Sequence, residues 1–435
     1  MDKTDETART KRPKIFRMKG RGCAAVVGML ALGAAGVGMA TAAASASAKK
    51  AAPVTLTMWS GLTGGDHTTY VGLVKEFNAS HPDIKVQVTY LPWDSIAQKL
   101  PSAMASGSGP DMAMPDYNAG TVREYIKNGL ITPINGLLNM VPKKDIAPAI
   151  LNAFTVNGNL YAAPANWATL QLYWNKTMFA KAGISGPPKT MTQLLADAKK
   201  LTGNGQYGIS LADNNTAPMW PIIIWAGGGD IVNSKGCSVL DSPKSVSAIS
   251  AFATAIHTDG ITQVGLSGQD ADNLFSAQKA AMELNGPWAA GEYTPVHVNF
   301  GIAPVPVGSS GKPVTAALTD PIVVNAKSQH LAQALTFFAW LLGKQQQVYL
   351  AVHANYPPSR TDMSSDPGLK TNPLVKVFAT GTPYARLFLP QFANFNQIVT
   401  NVFTPAIQEV ERGANVASTM ATASKQLNQL TGCTS

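Results

Sequence analysis

The sequence predicts an α/β fold of two lobes, each built on a mainly parallel sheet flanked by helices. Three observations predict it. Strand-like and helix-like segments alternate from residue 54 onward, which is the pattern of βαβ winding. The folded part is about 390 residues long, more than one hydrophobic core usually serves. With 45 % apolar and 14 % charged residues, the composition is that of a well-packed globular protein.

The first segment stands apart from this pattern. Lys3, Arg9, Lys11, Arg12, Lys14, Arg17, Lys19 and Arg21 precede an apolar run from Cys23 to about Ala44, and Ala44-Ser45-Ala46-Ser47-Ala48 closes it with small residues. That order is a secretory signal over residues 1–48, with cleavage after Ala46 or Ala48, and it makes the protein exported and extracytoplasmic, whether at the cell surface, in the periplasm or secreted. An uncleaved anchor is the competing reading, but a run so rich in Gly and Ala is only weakly hydrophobic. Cys23 comes before the apolar run, whereas a lipoprotein signal needs its cysteine after it, so no lipid attachment is expected.

The net charge of +9 belongs mostly to this segment, which holds eight Lys/Arg against three Asp/Glu, so +4 remains without it. No basic run or aromatic RNA-binding motif accompanies the remaining charge, which argues against nucleic acid as a partner. Cys237 and Cys433 are left in an oxidising setting. They pair if their Cα atoms lie within about 7 Å and otherwise stand as two thiols, and sequence gives no distance.

The elements come in order. Val54 to Trp59 alternates as a strand and breaks at Ser60-Gly61, and Thr68 to Ala79 carries Tyr70, Val71, Leu73, Val74 and Phe77 at helical spacing. Ile84 to Tyr90 is a second strand; Pro92-Trp93-Asp94 turns into a helix through Met104, and a short strand spans Asp111 to Met114. Ligands of such sheets bind beyond the carboxyl ends of the strands, here at Trp59-Ser60-Gly61 and Pro115-Asp116-Tyr117-Asn118. The stretch from Leu160 to Trp167 crosses to the second lobe. There the sequence predicts a helix from Thr190 to Leu201, an apolar stretch Trp220 to Trp225, and a helix from Pro243 to His257 capped by Ser242. A helix over Leu274 to Ala280, a strand over Ala281 to Leu284, strands over Phe300 to Val307 and Ala316 to Val324, and a helix over Ala332 to Gly343 complete it before the helical C-terminal region.

Catalysis has no visible apparatus: HExxH, GxSxG, GxxxxGK[ST] and GxGxxG are absent, and the histidines at 67, 81, 257, 297, 330 and 353 have no metal-ligand spacing. No catalytic residue, metal or cofactor is expected. Asp116 with a partner carboxylate would suit a glycosidase, the alternative reading, while Asp111 after Gly109-Pro110 reads as a turn residue. Loop positions do carry aromatic and amide side chains. A sugar needs flat apolar faces against its C–H surface and Asp, Asn or Gln for its paired hydroxyls. Trp59, Asp116, Tyr117, Asn118, Asn166, Trp167, Trp220, Trp288 and Asn396 supply both and are the candidate ligand-binding set. Trp59 and Trp220 also suit a core, as Trp225 does more strongly. Trp288 is the sharpest candidate, because Asn285-Gly286-Pro287 ends a strand and projects the next side chain.

The wording of the chain resembles the extracellular solute-binding proteins of carbohydrate ABC transporters, the maltose-binding-protein-like family. The likeness runs from about Val54 to Leu430 and rests on Glu76 through Val86, Gly109-Pro110-Asp111, Trp174-Asn175-Lys176, Leu284 through Trp288, Tyr356 through Arg360 and Leu389 through Phe392. It implies a two-lobe periplasmic-binding-protein-like (type II) fold joined by hinge strands, with lobe 1 from residues 49–164 plus 314–355 and lobe 2 from 165–313 plus 356–435. It further implies a sugar held in the cleft by a monomer and lobe closure presenting the complex to a membrane permease. Pro115, Asn118 and Asn396 stand where that family's maltodextrin binders carry acidic or aromatic side chains, which points to a differently shaped sugar. A polyol phosphate is the remaining alternative of the same fold, although no Arg/Lys set accompanies the cleft loops.

Overall fold

A computed structural model of the chain describes residues 52–214 and 219–433. The signal segment read over residues 1–48 lies outside the described residues. The first lobe opens with β1 (Val54–Ser60), whose alternation buries Leu56 and Met58 and turns Thr55 and Thr57 outward. Helix α1 (His67–Ser80) covers it with Tyr70, Leu73 and Phe77, spaced for one helical face. Strand β2 (Ile84–Tyr90) pairs in parallel with β1 in the register Val54–Ile84 to Ser60–Tyr90. After α2 (Trp93–Ser106), which ends on Gly107 with φ +83°, the short strand β3 (Met112–Ala113) joins the other edge of β1, again in parallel.

The strands from the crossing segment make these sheets mixed instead of mainly parallel. Strand β4 (Ala162–Pro164) belongs to the first sheet, β5 (Ala168–Thr169) leaves it, and β6 (Gln171–Asn175) starts the second. In that second sheet β6 lies between β7 (Met282–Asn285) and β8 (Phe300–Ala303), both antiparallel to it. Strand β6 is far in sequence from the other two, so no right-handed helical crossover constrains them to run the same way.

The single strand expected over Ala316 to Val324 is two strands. Strand β9 (Thr315–Leu318) pairs with β5 and with β11 (Ala385–Arg386), whereas β10 (Pro321–Val324) pairs antiparallel with β3 and β4 in the first sheet. The first sheet therefore has the order β2-β1-β3-β10-β4. Only Thr319 and Asp320 separate β9 from β10, and Pro321, which lacks an N–H, opens the new strand.

Of the helices, α3 (Ala119–Lys127) follows β3, and α4 (Met191–Leu201) is capped by the Thr190 hydroxyl. The apolar stretch at 220–225 is helix α5 (Met219–Ala226), buried along its whole length. Helix α6 (Pro243–Asp259) has the expected cap, the Ser242 hydroxyl accepting from the Ser245 N–H. The helix expected over Leu274 to Ala280 instead occupies α7 (Gly268–Ser276). A reciprocal capping box between Ser267 and Asp270 starts it earlier, and Gln278, at φ +56°, stops it. Helix α8 (Ala289–Tyr293) follows β7 directly, and α9 (Leu331–Leu341) and α10 (Lys344–Ala354) return to pack on α1. The final helix, α11 (Val416–Thr431), is fixed at its end by a Cys237–Cys433 disulfide with Cα atoms 5.4 Å apart.

Candidate ligand-binding cavity

Where β1, β3 and β7 end, the chain leaves each strand into one cavity of about 190 Å³. The β1–α1 loop, Trp93, Tyr117, Asn166 and Asp320 line it on one side. Gln269, Asp272, Asn285, Trp288 and Glu292 line it on the other. This is the carboxyl-end placement the winding predicted for the first lobe.

Two indoles are set into it by glycines. A Cβ on Gly61 would lie 2.1 Å from the Trp93 ring, so only a residue without a side chain lets that ring lie on the end of β1. Trp93 meets Tyr117 edge to face with ring centroids 5.6 Å apart. On the facing side Trp288 is half-buried with its ring 6.5 Å from that of Tyr356, the planes tilted by 34°. The two sides touch at Gly65, whose N–H donates to Glu292 Oε1 at 3.0 Å; a Cβ there would come within 2.5 Å of the Trp288 carbonyl oxygen.

Four carboxyl groups face the same space. Asp66 accepts from the Tyr356 hydroxyl at 2.8 Å, and burial pushes its carboxyl up to about 6. Asp320 accepts from the Asn166 side-chain amide and is pushed up to about 7, again by burial. Asn166 is held in turn, its Oδ1 accepting from the Asp320 N–H at 3.1 Å and its Nδ2 reaching the Tyr70 hydroxyl at 3.1 Å. Asp272 accepts from Asn285 Nδ2 at 2.6 Å and is raised to about 7 by burial. Glu292 is raised by burial as well. Behind Asp272, the fully buried Glu283 accepts from the Tyr293 hydroxyl, and burial together with Asp272 pushes its carboxyl well above the ordinary range.

Of the nine candidate residues, the cavity gathers Tyr117, Asn166 and Trp288. The other six lie elsewhere. Trp59 is half-buried within β1, packed on the core. Asp116 accepts from the Tyr117 N–H, Asn118 Nδ2 and the Thr121 hydroxyl, so its carboxylate organises the first turn of α3, and burial raises it to about 6. Asn118 is buried at the start of that helix. Trp167 is buried with Nε1 donating to the Thr382 hydroxyl at 3.3 Å. Trp220 is a core residue, 1 % exposed, its Nε1 donating to Glu411 Oε1 at 3.1 Å. Asn396 bonds Glu124 away from the cavity.

Sequence reasoning missed Trp93, Asp66, Asp272, Glu292, Asp320 and Tyr356 as candidates. Trp93 carried the same signal as Trp288, an indole just past a strand end. Tyr356 lay within the quoted Tyr356-Pro357-Pro358-Ser359 wording. The acidic residues had no local signal, because their convergence depends on long-range packing.

Residues 60–348 match the sequence profile of bacterial extracellular solute-binding proteins. The chain belongs to this family. Its relatives include the maltotriose-binding protein of Pyrococcus abyssi, 24 % identical over 347 residues that make up 76 % of this chain and 72 % of that protein. Among solved structures, an ABC transporter solute-binding protein of Thermotoga lettingae bound to α-D-tagatose superposes with a TM-score of 0.78 at 22 % identity, covering 87 % of this chain and 99 % of that one. The GacH receptor of Streptomyces glaucescens, solved unliganded and with acarbose, superposes with a TM-score of 0.79 at 23 % identity over 87 % of this chain and 98 % of its own. These likenesses give the solute-binding family its two-lobe fold here, and the cavity is where its two sides meet.

Proposed function

We propose that this solute-binding protein is an extracytoplasmic receptor that captures a mono- or oligosaccharide between its lobes and hands it to an ABC import permease. The observation that carries the reading is the pair of indoles, Trp93 and Trp288, contributed from opposite sides to a cavity whose polar side chains are carboxyls, amides and hydroxyls. Indole faces suit the C–H surface of a sugar ring, and carboxyl and amide oxygens suit its hydroxyls. The relatives solved or named with tagatose, acarbose and maltotriose support the same class of ligand.

The lobes are read as residues 49–164 plus 314–355 and 165–313 plus 356–435, with the monomer exported by a signal cleaved after Ala46 or Ala48. A ligand that touches both sides only when they are together draws them closed, and the Gly65–Glu292 contact is the seam such closure uses. A polyol phosphate is disfavoured because no Lys or Arg is among the described residues that line the cavity. A hydrolase built on Asp116 is disfavoured because that carboxylate is spent on α3.

The test is a thermal-shift and calorimetric screen of the purified protein against sugars, polyols and glycerol phosphates, with the sugars recovered and analysed afterwards. A sugar that raises the melting temperature and is recovered unchanged fits the receptor. Turnover of a glycan, or stabilisation by glycerol phosphate alone, overturns it.

A further inference from the structure

The charge balance of the cavity narrows the ligand beyond sugars in general. Asp66, Asp272 and Asp320 are 3 %, 8 % and 6 % exposed, and Glu292 is half-buried beside them. No Lys or Arg lines the cavity among the described residues, whose ion pairs all lie at other carboxylates. The hydrogens that reach these four groups come from neutral donors, among them the Tyr356 hydroxyl, the Asn166 and Asn285 amides and the Gly65 N–H. His67, the neighbour of Asp66, points its Nδ1 at the Leu62 carbonyl, 2.9 Å away. Asp320 uses Oδ2 for Asn166, and its Oδ1 accepts no hydrogen bond from the described residues.

Buried carboxylates are ordinarily paired with cations, because taking a lone anion out of water costs several kcal/mol. Here the walls concentrate acid and supply no Lys or Arg, and the basic group that acts on Asp66 is the neighbouring His67 imidazole. The groups also sense one another: Asp66 pushes the Asp320 carboxyl up, and Glu292 acts the same way on Asp66 and Asp272. A neutral sugar satisfies their hydrogen-bonding capacity, while burial and their mutual repulsion keep these carboxyls drawn to protons. A ligand ammonium can take the place of those protons and can also lie against an indole face, where a cation is attracted to the ring.

We propose that the cavity takes a sugar or cyclitol carrying a free, protonated amino group, with the ammonium received by Asp320 and Asp66 and the ring lying against Trp93 or Trp288. The proposal rests on the sugar-receptor reading and narrows its substrate class to cationic amino sugars.

The test is calorimetry at pH 7 with sets matched in stereochemistry: glucosamine, galactosamine and the glucosamine disaccharide, each beside its N-acetyl and its hydroxyl counterpart. The amino form is expected to bind at least tenfold more tightly than both neutral partners. Asp320→Asn, whose folding is checked by its melting curve, is expected to shrink that ratio to about twofold. Neutral partners that bind as tightly as the amino forms overturn this proposal and leave the receptor standing. Binding by none of the probes, neutral or cationic, overturns the proposal and leaves the sugar-receptor reading to the wider screen of sugars, polyols and glycerol phosphates. An unchanged ratio in Asp320→Asn overturns the assignment of the ammonium to that carboxylate.

Discussion

The indole of Trp288 lies on the backbone of Gly286: a Cβ at that glycine would come 2.1 Å from Cζ3 of the ring. The ring and the glycine therefore form one unit, and Gly286→Ala is expected to turn the indole out of the cavity. Sugar affinity should fall tenfold or more, close to the loss in Trp288→Ala, when both variants are compared by calorimetry. Full affinity in Gly286→Ala would show that the ring takes no part in holding the solute.

Trp220 is expected to behave in the opposite way. Trp220→Phe leaves Glu411 without its indole donor and removes buried volume, so about 1–3 kcal/mol of stability should be lost in urea unfolding. Affinity for the solute should stay within about twofold. A selective loss of affinity at unchanged stability would return Trp220 to the ligand site.

The buried acids make stability depend on pH in a definite direction. Folding raises Asp66 and Asp116 from 3.8 to about 6, and Asp272 and Asp320 from 3.8 to about 7. The native state thus binds more protons than the unfolded chain across this window, so the stabilisation is complete below the unfolded value and is lost as pH rises through 6 to 7. The ligand-free protein should melt on the order of 5 °C lower at pH 8 than at pH 5. A melting temperature that rises across the same interval would contradict the burial of these carboxyls.

The Cys237–Cys433 bond closes a loop with a sequence separation of 196 residues. Loops of that length give a disulfide its largest entropic effect on the unfolded chain, and about 2–5 kcal/mol is expected to be lost in Cys237→Ser. Melting with and without reductant provides the check: the wild type should drop to the level of the variant, and the variant should not respond.

Much of the first lobe was legible because its segments carry local signals. The alternation of Val54 to Trp59 and the spacing of Tyr70, Leu73 and Phe77 can be read from period alone, and the Ser242 cap of α6 from its residue type. The second sheet was less legible. The antiparallel pairing of β6 with β7 and β8 joins residues more than a hundred positions apart, and the split between β9 and β10 hides in one apolar run interrupted only by Thr319 and Asp320. The cavity showed the same division. Trp288 and Tyr117 stand at strand ends that can be read from sequence. Trp220 sits in an apolar helix whose burial was the competing reading, and Asp116 looked available because its partners, Tyr117, Asn118 and Thr121, supply a local turn that composition does not reveal.

Asp320 occupies the two-residue joint at which the chain leaves one sheet and enters another, and its carboxyl also faces the cavity. On the receptor reading proposed above, one side chain then both meets the solute and sits where two sheets are joined, so a change at Asp320 is expected to alter lobe closure together with solute preference, whereas changes at Trp93, Gln269 and Tyr356 leave that joint untouched.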